Sequence, residues 1–288
     1  SFPTRRSSDL HIGTFRNRGT NVMGDVINSD PAYVKDVDYG HALLPAAVPG
    51  QSTYTAYATG NASRTAMVYV GANDGKLYGF DAVTGVERFS YVPSGVYPNL
   101  THLTDPLYTH RYYVDGGITA GDAYLFGTWR TVIVAGLNAG GSSIYALDVA
   151  DADAFDQGDV MWEYTEADMG MTFSQPQIGI LENGEWVAVF GNGYNSPNGG
   201  SYLYVVRLRD GLLLQKIRAS DVAGDESNGL STPVLFDSDN DHLIDTVYAG
   251  DLLGNMWKFD VSGTSGSFGV AFSDRKSTRL NSSHPYRS

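Results

Sequence analysis

The chain contains no cysteine in 288 residues. That removes disulfides, thiolate metal sites and a cysteine nucleophile together, and it leaves the compartment open. No apolar run approaches the ~20 residues that cross a bilayer as a helix. There is no G-x-S-x-G elbow and no H-E-x-x-H pair, so two common hydrolase constellations are missing. Gly191-Asn-Gly193 and Gly140-Gly141 lack the following helix and lysine of a phosphate loop and read as turns. His11, His41, His102, His110 and His242 show no metal-ligand spacing and read as surface or hydrogen-bonded residues. Helical periodicity is scarce throughout.

Basic residues are also few, 19 against 32 acidic ones, for a net charge of −13. Both ends look foreign. SFPTRRSSDL at 1–10 and DRKSTRLNSSH at 274–284 resemble translated sequencing adapters, so 1–10 and 274–288 are set aside as artefacts. The missing signal peptide then says nothing about location. Removing six basic and two acidic residues with those ends leaves 13 basic and 30 acidic residues, a net charge of −17. Such a surface repels nucleic acid and anionic membranes and favours cations.

What the chain does have is glycine, 34 residues, tyrosine, 19 residues, and a repeat. The clearest unit begins Met67-Val-Tyr-Val-Gly-Ala and reads as strand, turn at Asn73-Asp74-Gly75, strand, turn at Thr84-Gly85, strand. It recurs more loosely at 131–149, 186–208 and 246–261. The equivalent points Asp81, Asp148, Arg207 and Asp260 lie 67, 59 and 53 residues apart. Each unit suits one four-stranded sheet, and a single sheet must be covered by its neighbours. The fold class expected is all-β, a partial β-propeller of four to five blades. Residues 11–66 form a lead-in segment holding strands of an earlier blade, and 67–273 hold the clear blades. The proline-marked stretch 91–107 reads as an insertion and 150–159 as a loop. Trp129, Trp162, Trp186 and Trp257 recur near strands and read as core between blades. A partial ring leaves edges unpaired, so lower stability than in a closed ring is expected.

One segment carries chemistry. In Asp237-Ser-Asp-Asn-Asp-His-Leu-Ile-Asp245, carboxylates occupy loop positions 1, 3, 5 and 9: Asp237, Asp239, Asp241 and Asp245. Four negative charges so close are best tolerated around a hard cation. Calcium accepts six to eight oxygens in flexible geometry, and the Leu243 carbonyl at position 7 can add one. The loop departs from the EF-hand at position 6, His242 instead of glycine, and at position 12, Tyr248 instead of glutamate. The residues after it read as a strand rather than a helix. Asp151, Asp153 and Asp156 lack this order and do not make a second site.

These segments together resemble the PilC/PilY family of type IV pilus biogenesis and tip-adhesin proteins. The likeness is carried by Gly24-Asp-Val-Ile-Asn-Ser-Asp-Pro31, Tyr113-Val-Asp-Gly116, Ile144-Tyr-Ala-Leu-Asp148 and Gly191-Asn-Gly-Tyr194. It continues through Leu230-Ser-Thr-Pro-Val234 and the acidic loop to Trp257-Lys-Phe-Asp260. The resemblance implies a non-enzymatic C-terminal propeller whose calcium loop governs pilus extension against retraction, or adhesion. It implies Asp237, Asp239, Asp241, Asp245 and the Leu243 carbonyl as calcium ligands. It also implies pilus components such as minor pilins, and host surface receptors, as partners, with a location outside the cell or on the outer membrane. The integrin-type RGD motif of some members is absent here. The repeat is similar, too, to that of quinoprotein dehydrogenases, which need pyrroloquinoline quinone, a central calcium and a catalytic aspartate. That is the alternative function. It fits less well, because a contiguous acidic loop can complete a cation cage without a cofactor.

Overall fold

The structure, a computed structural model, describes residues 15–20, 23–219 and 228–274. The two foreign-looking ends therefore lie outside the described residues, except Asp274.

Among the described residues sixteen strands form four antiparallel sheets of four, each in sequence order. The first sheet holds β1 (Ala32–Val34), β2 (Met67–Ala72), β3 (Lys76–Asp81) and β4 (Glu87–Tyr91). The second holds β5 (Ile118–Leu125), β6 (Thr128–Gly136), β7 (Ile144–Asp148) and β8 (Val160–Tyr164). The third holds β9 (Gln177–Ile180), β10 (Trp186–Gly191), β11 (Tyr202–Arg207) and β12 (Leu213–Arg218). The fourth holds β13 (Val234–Phe236), β14 (Thr246–Gly250), β15 (Met256–Asp260) and β16 (Gly269–Asp274). The first strands β1, β5, β9 and β13 adjoin one another in succession, which places them toward the propeller axis.

The spacing of the repeat is accurate to the residue. Asp81, Asp148, Arg207 and Asp260 each end the third strand of a blade. Just before each of them the pairing with the fourth strand slips, between Gly79 and Phe80, Ala146 and Leu147, Val205 and Val206, and Lys258 and Phe259. The four blades thus share one β-bulge, which increases the local twist of each outer strand. Three of the strand-ending aspartates then close the turn. Asp81 accepts the N–H of Val83 and of Thr84, Asp148 that of Ala150, and Asp260 that of Ser262. In the third blade this carboxylate has moved to Asp210, which accepts from Leu212 N–H and pairs with Arg207.

The lead-in segment differs from expectation. Ala32–Val34 does not belong to an earlier blade; it pairs with Met67–Tyr69 and completes the first sheet. Four blades, not five, are present among the described residues. A short marker precedes three of the first strands: Ser29-Asp-Pro31, Ser174-Gln-Pro176 and Ser231-Thr-Pro233. In each, the serine reaches a glycine near the end of the second strand. Gly71 N–H donates to Ser29 Oγ at 2.8 Å and Gly191 N–H to Ser174 Oγ at 2.7 Å, while Ser231 Oγ donates to the Gly250 carbonyl at 2.9 Å. Proline suits the entrance of such a strand, where no ladder donor is needed.

One α-helix was not expected. Tyr54–Gly60 lacks a side-chain cap and an acidic first turn. Burial of Tyr54, not propensity, holds it. Within the stretch 91–107, Tyr91 still belongs to β4 and Ser94–Thr104 is a run of 3₁₀ turns, while 150–159 contains two more.

Three cores lie between successive blades. Met67, Tyr69, Leu77, Ile133 and Tyr145 fill the first gap. Tyr54, Trp129, Trp162, Trp186, Phe190 and Tyr204 fill the second. Val187, Val205, Leu230, Trp257 and Phe259 fill the third. All four tryptophans are core, as expected. Among the described residues nothing packs over Val234, Phe236 and Met256 on the fourth blade, which are about half exposed or more. At the first gap Gly140 is obligatory, because a Cβ there would lie 1.7 Å from the Tyr113 carbonyl oxygen. No helix among the described residues is long and apolar enough to cross a membrane.

Candidate metal centre

The acidic loop joins β13 to β14, so it lies between strands as the residues after it suggested. Its back is anchored in the cores on either side of the third blade. Leu243 and Ile244 are buried, and Ile244 N–H donates to the Ile180 carbonyl of β9 at 2.8 Å. The loop ends are tied by Asp245 N–H to the Phe236 carbonyl at 3.2 Å and Val261 N–H to the Asp245 carbonyl at 2.8 Å.

With the apolar side fixed inward, the acidic side converges outward. One carboxylate oxygen each from Asp237, Asp239 and Asp245 lies within 4.8 Å of the others. Asp237 also organises the turn. Its Oδ1 accepts from Asn240 N–H at 2.6 Å and Asp241 N–H at 3.2 Å, and its Oδ2 from His242 N–H at 2.7 Å. Asp245 Oδ2 accepts from the backbone N–H of Ser238 at 2.6 Å and from its hydroxyl at 2.5 Å. Asp241 stands apart from the trio. Its Oδ1 accepts Leu243 N–H at 2.8 Å, which leaves Oδ2 as its remaining donor atom for a cation.

Two residues take left-handed backbone, Asn240 with φ 65° and His242 with φ 69°. Position 6 therefore has the conformation that glycine supplies in the EF-hand, adopted here by a residue for which it costs more.

The electrostatics separate two of the aspartates. Burial pushes the Asp237 carboxyl up, but the N–H groups of His242, Asn240, Asp241 and Asp239 outweigh it and hold its pKa below the ordinary value. Asp239 goes the other way: desolvation and the charges of Asp241, Asp245 and Asp237 raise its pKa. Among the described residues no lysine or arginine forms a salt bridge with any of the four aspartates. An all-oxygen, all-anionic donor set of this kind fits a hard cation such as calcium.

Beside the loop lies a cleft of about 250 Å³, bounded by β5, β9, Leu235, His242 and Ile244 and by the turn at Tyr39-Gly-His41. His41 stacks on Trp129 at 5.5 Å, meets Trp186 edge-on at 4.9 Å, and hydrogen-bonds the Asp122 carbonyl at 3.1 Å. Burial drops its pKa to about 4. The absence of metal-ligand spacing makes His41 a surface or hydrogen-bonded residue and gives no sign of this cluster. Its members come from three distant segments, and no local spacing links them.

Residues 23–278 match the family model described as the PilY1 β-propeller domain. A type IV pilus biogenesis factor PilY1 homolog of Xylella fastidiosa is 43% identical, matching 92% of this chain and 19% of its own length. The PilY1 of Pseudomonas aeruginosa strain UCBPP-PA14 is 40% identical over 86% of this chain and 22% of its own length. The chain thus spans about a fifth of these relatives. The crystal structure of the Pseudomonas aeruginosa PilY1 C-terminal domain superposes with a TM-score of 0.71 at 35% identity, covering 84% of this chain and 51% of that one. The family model and these relatives cover most of the chain, and their fold is the one described above: the chain belongs to the PilY1 β-propeller family.

Proposed function

We propose that the 237–245 loop holds a calcium ion and that its occupancy regulates a non-enzymatic propeller working in type IV pilus biogenesis. The observation that carries this reading is the convergence of Asp237, Asp239 and Asp245 within 4.8 Å of one another. Asp241 Oδ2 and the Leu243 carbonyl complete the proposed donor set. When bound, the ion supplies the positive charge that offsets mutual repulsion of the carboxylates.

The chain's own residues do the rest. Asp237 holds the turn through backbone N–H groups, and Ser238 fixes Asp245. Ile244 ties the loop to β9, so ordering the loop also orders the edge of the third blade. The relatives are named as pilus biogenesis factors. In this reading the propeller acts at the cell surface on pilus components such as minor pilins, with calcium shifting extension against retraction. Host surface receptors are further partners for an adhesive role.

The test is made in a piliated bacterium whose PilY1-type protein carries this propeller. Asp239→Ala combined with Asp245→Ala should abolish the calcium dependence of surface pilus number. Pili that respond to calcium as in the parent strain would refute the reading.

A further inference from the structure

We propose that the cleft beside the acidic loop binds an uncharged aromatic group that carries an amide, the chemistry of a phenylalanine-type residue. The cleft encloses about 250 Å³ between β5, β9 and the 39–41 turn. A cavity of about 150 Å³ accepts benzene, so one ring with a short attachment fits here.

The walls are mostly apolar and uncharged, in a chain of net charge −13. Tyr39, His41 and Trp186 supply rings, while Ile178, Leu235 and Ile244 supply aliphatic surface. No lysine or arginine lines the cleft among the described residues. Its one carboxylate, Asp122, is fully buried and already accepts the hydroxyls of Thr131 and Tyr54. Burial drops the His41 pKa to about 4, so its imidazole is neutral at neutral pH. An ion entering this cleft would lose its water and gain no counter-charge. A ring would gain aromatic and aliphatic contacts instead.

The polar element comes from two strand edges. The Ile118 carbonyl accepts Gln175 Nε2 at 3.2 Å, and the Asp122 carbonyl meets His41 Nε2 at 3.1 Å, so both point away from β6. Main-chain groups alternate between the two edges of a strand. The N–H and C=O of Ala120, midway between these residues, therefore point the same way. On β9 the Ile180 carbonyl accepts Ile244 N–H, so Ile178 likewise directs its N–H and C=O away from β10. Ala120 and Ile178 both line the cleft and are half-buried, within reach of a ligand. Among the described residues neither main chain has a hydrogen-bond partner on that edge. Each thus offers one donor and one acceptor, the pair that an amide completes.

The experiment titrates N-acetylphenylalaninamide into the full chain at neutral pH, followed by ligand-observed NMR. Chelator is present throughout, so occupancy of the acidic loop plays no part. The parent should saturate. N-acetylphenylalaninate, with a carboxylate in place of the amide, should bind about tenfold more weakly, because the cleft offers that charge no partner. Thr119→Trp fills the cleft from β5 and should abolish binding. Tyr39→Ala removes part of the wall and should weaken it. Melting temperatures show that each variant is folded. A blocked alanyl-phenylalanyl-alanine peptide separates two sources of the same chemistry: tighter binding assigns the site to an extended peptide pairing with both edges, equal binding to a free aromatic amide. The proposal is overturned if the parent does not saturate, if the carboxylate binds as well as the amide, or if folded Thr119→Trp and Tyr39→Ala both bind as the parent does.

Discussion

The Asp237 carboxylate accepts the backbone N–H of His242, five residues on, at 2.7 Å, and His242 is one of two residues in the loop with left-handed backbone. The first acidic position of the loop therefore stabilises the strained turn at its sixth, before any cation is considered.

This separates the roles of two aspartates. Asp237→Ala frees three N–H groups and should lower stability by about 1 kcal/mol in chelator, since these groups are partly solvated. Asp239→Asn removes a like charge and should leave stability in chelator unchanged or slightly higher. Thermal melts with and without calcium check both: the parent should gain from the ion, and both variants, each lacking one proposed donor, should gain less.

His242→Gly relieves a left-handed residue that costs about 1–2 kcal/mol. Calcium affinity should not fall in this variant, and melting in chelator should not drop. Calorimetry and thermal denaturation together measure both quantities.

The His41 cluster predicts a pH dependence with a definite sign. Buried against Trp129 and Trp186, His41 has its folded pKa dropped to about 4, while the unfolded side chain titrates near its ordinary value of 6.5. Its contribution is fully present above that ordinary value and is lost as pH falls toward the folded one. The slope is at most about 1.4 kcal/mol per pH unit. Asp122 acts in the opposite sense, because burial raises its carboxyl pKa and the folded chain takes up that proton more readily than the unfolded one. Comparing His41→Gln with the parent isolates the histidine. The variant's stability should vary less between pH 6.5 and 4 than the parent's.

Ser174 joins two blades: its hydroxyl accepts Gly191 N–H at 2.7 Å and donates to the Ser231 carbonyl at 3.0 Å. Ser174→Ala leaves a buried N–H without an acceptor and should cost about 1–3 kcal/mol. Urea titration measures it, and an unchanged midpoint would count against the blade-entrance role of the serine.

These positions show what was legible in the sequence. The repeat was, because Asp81, Asp148 and Asp260 close the same turn in three blades, and Arg207 holds the matching strand end in the third. The strand at Ala32–Val34 was legible as a strand but not as the first of this blade. It has three residues, and its partner β2 begins only at Met67, with a helix and several 3₁₀ turns between them. The Ser-x-Pro marker at Ser29-Asp-Pro31, shared with the third and fourth blades, was the signal that would have placed it. The helix at Tyr54–Gly60 is imposed by burial of one tyrosine, which no local pattern encodes. In the acidic loop, spacing grouped four carboxylates; three of them lie close together, and no spacing showed that Asp241 would stand apart with one oxygen on Leu243 N–H.

Asp237, Asp239 and Asp245 are proposed to share one cation. Calorimetric titration of calcium into the parent and into Asp239→Ala tests it most directly. The parent should show one saturable site and the variant should lose it. Equal calcium binding by the two proteins, or none by the parent, would contradict it.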